Sequence, residues 1–188
     1  LDRTDAIWIA SRDGLTRIAG NRVTTFGSGA GFPAAAARSI WGDRDGNLWI
    51  GTNGNGLVRM RGEQFDVLTA HEGLSNDVVQ ALYEDREGSL WIGTWGRGVC
   101  RVSGKDVACR SALTGDLPAD HIWSLYQDHE GSVWIGTWTE GLLRLRHGVV
   151  VNLGKPEGLA GINVRAVTQD ASGAIWATVA SGGLSRIT

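Results

Sequence analysis

A basic excess, a long apolar run and a helical stripe are all missing from this sequence of 188 residues. Its 18 Lys and Arg against 20 Asp and Glu leave a formal charge of -2, with a pI near 6.1. There is thus no field to collect phosphates, and nucleic acid is not an expected partner. No apolar stretch approaches the length of a membrane-spanning helix. Nowhere do apolar residues fall at i, i+3, i+4 and i+7 over about ten residues between caps, so little α-helix is expected. Cysteine is reduced to Cys100 and Cys109, and neither they nor the histidines stand at metal-ligand spacing. Proline numbers 3, against 28 glycines and 9 tryptophans; the glycines suit many tight turns. No signal peptide or transmembrane segment is present, but the chain starts at Leu1 inside a repeat and reads as an excised piece.

What the sequence does contain is repetition. The stretch Gly88-Ser89-Leu90-Trp91-Ile92-Gly93-Thr94 returns as Gly46-Asn47-Leu48-Trp49-Ile50-Gly51-Thr52 and Gly131-Ser132-Val133-Trp134-Ile135-Gly136-Thr137, with looser copies around Trp8 and Trp176. From Trp8 the tryptophans recur after 41, 42, 43 and 42 residues, a period that points to a propeller, solenoid or array. Asp43, Asp85, Asp128 and Asp170 each precede a turn glycine by three residues, and Arg17, Arg59, Arg101, Arg144 and Arg186 share a later phase. Between these marks lie runs of about four to seven residues rich in Val, Ile, Trp and Tyr, bounded by Gly, Asp, Asn or Ser, which is the strand and hairpin signature.

Four antiparallel strands in about 42 residues match a propeller blade. The expected fold is therefore all-β, a β-propeller of four-stranded antiparallel blades filling residues 1–188. A partial blade is expected over 1–26, with strands around Ala6–Ala10, Leu15–Ala19 and Val23–Phe26. Whole blades follow over 35–69, 78–110 and 121–153, and a second partial blade over 163–188. A β-solenoid is the rival, although its coils are usually shorter and carry no tryptophan at so long a period. Some four and a half blades would leave open faces, so the rest of a larger ring or a second chain is expected to cover them.

The pattern Leu82-Tyr83-Glu84-Asp85-Arg86-Glu87-Gly88-Ser89-Leu90-Trp91-Ile92-Gly93-Thr94, followed by Gly98-Val99-Cys100-Arg101, resembles the two-component regulator propeller repeat. That family builds extracytoplasmic sensor regions of hybrid histidine kinases and of some diguanylate cyclases. The likeness covers the whole chain and is sharpest in units two to four. It departs where Asp5 replaces the turn glycine and where Ala177 replaces the glycine before Thr178. The resemblance implies a periplasmic, non-catalytic ligand-sensing segment of a seven-bladed ring, tied to a membrane through a segment outside this chain and needing no cofactor.

The register of the two cysteines can be worked out. With Gly104-Lys105 at the centre of a type II′ hairpin, Ser103 pairs with Asp106, Val102 with Val107, Arg101 with Ala108 and Cys100 with Cys109. The cysteines then fall on a non-hydrogen-bonded pair, about 4.5 Å between Cα atoms, within reach of a disulfide that suits an oxidising compartment. Two reduced thiols packed between blades remain the alternative.

Candidate chemistry is sparse. Asp43-x-Asp45-Gly46-Asn47 invites a calcium reading, but no Glu follows at the twelfth loop position, and the sister turns lose the second carboxylate. The recurring Asp is expected to bond local amides and to pair with the recurring Arg. The recurring tryptophans are expected to fill space between blades. Function on a repeat scaffold resides where units differ. Trp95, Arg97, Trp138 and Glu140 break the period in loops between second and third strands, and Trp123 does so early in an innermost strand. With His71, Glu72, Asn76, Asp77, Asp120, His121, Asn163 and Arg165 from the blade-joining segments they are expected on one face. Flat rings beside amides, carboxylates and guanidinium groups suit a small polar or carbohydrate-like ligand; simple rim packing is the plainer reading. A propeller enzyme resembling the streptogramin lyases, using His71 with Glu72 or His121 with Asp120 and a divalent metal, is a further possibility. So is a protein-docking platform.

Overall fold

The structure, a computed structural model, describes residues 6–27, 29, 31–34 and 36–187. Asp5, Ala35 and Thr188, which the sequence reading placed at unit boundaries or in a turn, lie outside the described residues. Five antiparallel sheets follow one another along the chain. The first holds β1 (Ile7–Ser11), β2 (Gly14–Ala19) and β3 (Arg22–Phe26). The second holds β4 (Ala37–Gly42), β5 (Leu48–Thr52), β6 (Leu57–Arg61) and β7 (Gln64–Leu68). The third holds β8 (Val79–Glu84), β9 (Leu90–Thr94), β10 (Val99–Ser103) and β11 (Asp106–Arg110). The fourth holds β12 (Ile122–Gln127), β13 (Val133–Thr137), β14 (Leu142–Arg146) and β15 (Val149–Leu153). The fifth holds β16 (Val164–Gln169), β17 (Ile175–Val179) and β18 (Gly183–Ile187). These sheets are propeller blades. Short 3-10 turns lie at Ala70–Glu72 and Lys155–Glu157.

Burial explains the strand chemistry. β9 and β13 are buried at every position, because a blade covers each of their faces, and they read as continuous apolar or small runs. The outer strands β7, β11 and β15 mix exposed and half-buried positions and bury none fully, as strands at a wet edge do. Each core cluster joins two neighbouring blades: Trp8 packs with Ile50 and Met60, and Trp134 with Val164 and Ile175. The equivalent residues Leu15, Leu57, Val99 and Leu142 are 0 to 1% exposed beneath the next blade, whereas Leu184 of the fifth sheet is 59% exposed.

The recurring Asp is a turn residue with a second task. Asp85 Oδ1 accepts from the Glu87 and Ser89 amides at 3.0 and 2.8 Å, and Oδ2 accepts from Trp91 Nε1 at 2.9 Å. Asp43, Asp128 and Asp170 hold Trp49, Trp134 and Trp176 in the same way, at 2.8, 2.7 and 2.7 Å. The carboxylate oxygens of Asp43 thus already serve Asp45, Asn47 and Trp49. The expected Asp–Arg pairing needs correction: among the described residues such a salt bridge is seen in blade three, Arg101 to Asp85 at 3.0 Å. The shared feature is instead the guanidinium over the tryptophan face, 5.3 to 5.9 Å from the centroid in all five units.

Asp170 carries a testable consequence. The Ser172 hydroxyl, followed by Trp176 Nε1, stabilises its charged form and lowers its carboxyl from 3.8 to about 2. Because the folded value lies below the unfolded one, its contribution is complete above about pH 4 and disappears as pH falls toward 2. Asp170→Asn should therefore flatten the stability loss over that window in acid titrations followed by denaturant unfolding. Equal loss in parent and variant would show that the carboxylate contributes nothing there.

Neighbouring blades are laced at the same end. The amides of Arg44, Arg86 and His129 donate to Glu84, Gln127 and Gln169 of the following blade at 3.0, 3.0 and 2.9 Å.

Candidate functional site

The opposite end of each sheet carries the loops between second and third strands and the segments that join blades. Backbone bonds set their positions. Gly54 and Gly56 donate to Asp77 O at 3.1 and 2.8 Å, and Gly96 and Gly98 donate to Asp120 O at 2.9 and 2.8 Å. Trp95 forms an isolated bridge with His121, so a blade-three loop is fixed beside the start of blade four.

Arg38, Gln80, Trp123 and Arg165 share one phase, and each sits at a β-bulge, where the ladder skips from Ala37 to Ser39, Val79 to Ala81, Ile122 to Ser124 and Val164 to Ala166. A bulge frees its residue from the pleat and re-aims the side chain. Neighbouring bulge residues meet across blades. Arg38 Nη1 donates to Gln80 Oε1 at 2.8 Å, and Arg165 lies 4.0 Å over the Trp123 ring. The sequence reading missed the bulges and the Arg38, Gln80 and Asn53 cluster; a shared phase was the signal, but a phase does not announce an extra residue.

Three tryptophans pack together at this end. Trp95 meets Trp123, Trp138 and His121 edge-on at 5.3, 4.8 and 4.6 Å, while Trp123 and Trp138 stack at 5.6 Å and 18°. Arg165 also lies 5.5 Å from the Trp138 ring. Trp138 is 39% exposed, whereas Trp95 and Trp123 are partly buried. Trp123 Nε1 and Asn163 Oδ1 are buried without a protein partner.

Three segments of the chain, residues 32–54, 73–96 and 116–139, match the two component regulator propeller family. Three of its repeats are therefore two component regulator propeller repeats. Its fold is similar to extracellular domains of two hybrid two component systems from B. thetaiotaomicron. One is 21% identical with a TM-score of 0.82, over 94% of this chain and 25% of that one. The other is 24% identical with a TM-score of 0.81, over 99% and 26%. This chain therefore spans about a quarter of their length. Virginiamycin B lyase from Staphylococcus aureus is similar in fold at 14% identity and a TM-score of 0.74, over 100% of this chain and 68% of the lyase. A search of curated proteins by sequence finds no match.

The remaining candidates in these regulator propeller repeats divide by what holds them. Asp77 Oδ1 accepts from the Ala70 amide at 2.7 Å, Asn76 Oδ1 from Val78 at 2.7 Å, and Asp120 Oδ1 from Ala112 at 3.0 Å. Glu72 caps the 3-10 turn through the Thr69 amide and hydroxyl at 2.8 and 2.6 Å, which lowers its carboxyl below the ordinary value. These groups fasten their own connections. Glu140 lines an open depression of about 410 Å³ with Lys155, Glu157 and Ile162, while His71 and Arg97 are exposed. The structure brings together Trp95, Trp123, Trp138, His121 and Arg165 from blades three to five.

Cys100 and Cys109 face each other in β10 and β11 and are joined by a disulfide with a Cα separation of 4.0 Å. Gly104 takes φ 61° at the turn between these strands.

Proposed function

We propose that this chain is a non-catalytic, ligand-sensing segment of an extracytoplasmic receptor for signal transduction, placed in the periplasm. Its ligand is a small polar or carbohydrate-like molecule bound at the loop end. The observation that carries this reading is the convergence of the period-breaking Trp95, Trp123 and Trp138 with His121 and Arg165 on one spot. The exposed face of Trp138 offers a stacking surface, and the Arg165 guanidinium beside it supplies donors. The extracellular placement of the similar domains from B. thetaiotaomicron supports the compartment. The exposed Leu184 face supports a further blade as its cover, and the family resemblance implies a ring of seven.

Tryptophan fluorescence titration with neutral and acidic mono- and oligosaccharides tests the site. Trp138→Ala should weaken a responding sugar by about 1 to 3 kcal/mol with little change in melting temperature, since its ring is 39% exposed. Trp95 is a poorer probe than the sequence suggests, because its ring touches three others and its removal will also loosen the fold. Unchanged sugar affinity in Trp138→Ala, or no response to any sugar, would defeat this placement. The lyase-like reading finds Asp120 bonded to an amide and His121 edge-on to Trp95, an arrangement that serves packing.

A further inference from the structure

A second break in the repeat lies away from the loop end, within the single strand β11. Opposite the recurring Arg stand Thr24, Asp66 and Val151 in blades one, two and four, but Ala108 in blade three. Two residues further along, the sister blades carry Phe26, Leu68 and Leu153, while blade three carries Arg110. Residues i and i+2 share one face of a strand, so a small residue and a cation replace two larger or apolar ones side by side. In blade two the position of Ala108 is filled by Asp66, which bonds Arg59 and Arg61 at 2.9 and 2.6 Å.

Between blades three and four lies a cavity of about 550 Å³, lined by Ala108 and Arg110. Ala108, Val133 and Leu145 supply apolar wall, and Gln127 and His147 add polar groups. The other charges lining it are largely matched. Arg101 is paired with Asp85 and Glu87, and Arg146 with Glu130. Arg110 has the charge of Asp116 as a neighbour, but that carboxylate already accepts from the Ser111 amide and the Thr114 hydroxyl. An arginine at a position that is apolar in the sister blades, beside a space of ligand size, has room for an anionic counterpart.

We propose that this inter-blade groove binds a small organic acid, with its carboxylate on the Arg110 fork and an apolar ring or short chain against Ala108, Val133 and Leu145. The site is separate from the tryptophan cluster, and neither reading depends on the other. Phenylacetate is the probe, with 2-phenylethanol and 2-phenylethylamine as neutral and cationic counterparts, followed by calorimetry and ligand-observed NMR. Phenylacetate should bind about tenfold or more tighter than either counterpart. Arg110→Leu and Ala108→Val install residues that sister blades carry, so the fold should persist while phenylacetate affinity falls about tenfold or more. Arg110→Lys, which keeps the charge without the fork, should fall between and serves if Arg110→Leu does not fold. Absence of phenylacetate binding at about 10 mM, equal binding of the neutral alcohol, or full affinity in folded Arg110 and Ala108 variants would overturn the proposal.

Discussion

Trp134→Ala is expected to destabilise the protein by about 3 to 5 kcal/mol, the range for removing a core aromatic. The ring is 4% exposed and lies in the cluster that joins blade four to blade five through Leu142, Val164 and Ile175. Its loss also strips Asp128 Oδ2 of a donor at 2.7 Å and takes away the surface under Arg144. Trp134→Phe separates these effects. It retains most of the apolar body but leaves the buried carboxylate short of one bond, for about 1 to 3 kcal/mol. Denaturant unfolding with unchanged m-value measures both. A loss below about 1 kcal/mol for the alanine variant would mean that neighbouring side chains can fill the space, and that the recurring tryptophan is not the keystone of the inter-blade core.

Gly98→Ala should cost about 2 to 5 kcal/mol, combining a left-handed backbone penalty of about 1 to 2 with overpacking of about 1 to 3. A Cβ on Gly98, at φ +73°, would stand 2.0 Å from Arg110 O and 2.9 Å from Ser111 Cα. Both are main-chain atoms that cannot swing aside. Gly104 provides the control, since it has a similar φ of +61° but nothing within 4 Å of an added Cβ. Gly104→Ala should therefore cost only the backbone part, about 1 to 2 kcal/mol. Thermal and denaturant unfolding of the pair compare them directly. If the two variants melt together, close approach of the outer strand does not explain the glycine that opens each third strand.

The period of the tryptophans was enough to read the blades, because one residue type at one phase can only serve one place in a repeated sheet. The Cys100–Cys109 register was also legible, since a two-residue Gly-Lys turn fixes every pair above it. Contacts between phases were not. Asp and Arg invite each other by charge, yet in blades two, four and five the folded turn swings the Asp carboxylate onto the tryptophan nitrogen six residues ahead and leaves the Arg to the ring face. The candidate site shows the same division. That Trp95, Trp123 and Trp138 depart from the period is visible in the sequence, and they do gather. That Asp77 and Asp120 are fastened to amides seven and eight residues away depends on how each connection curls, which spacing alone does not reveal.

The amide-to-carboxamide lacing between successive blades has an effect on how the molecule comes apart. Arg86 of blade three holds Gln127 of blade four, and His129 of blade four holds Gln169 of blade five. Such an array behaves as a row of coupled two-state elements, in which opening one blade releases its flanking couplings. Backbone amide exchange would then be slowest in β9 and β13, which are buried at every position, and a ligand that clamps any two adjacent blades would slow exchange in blades it never touches.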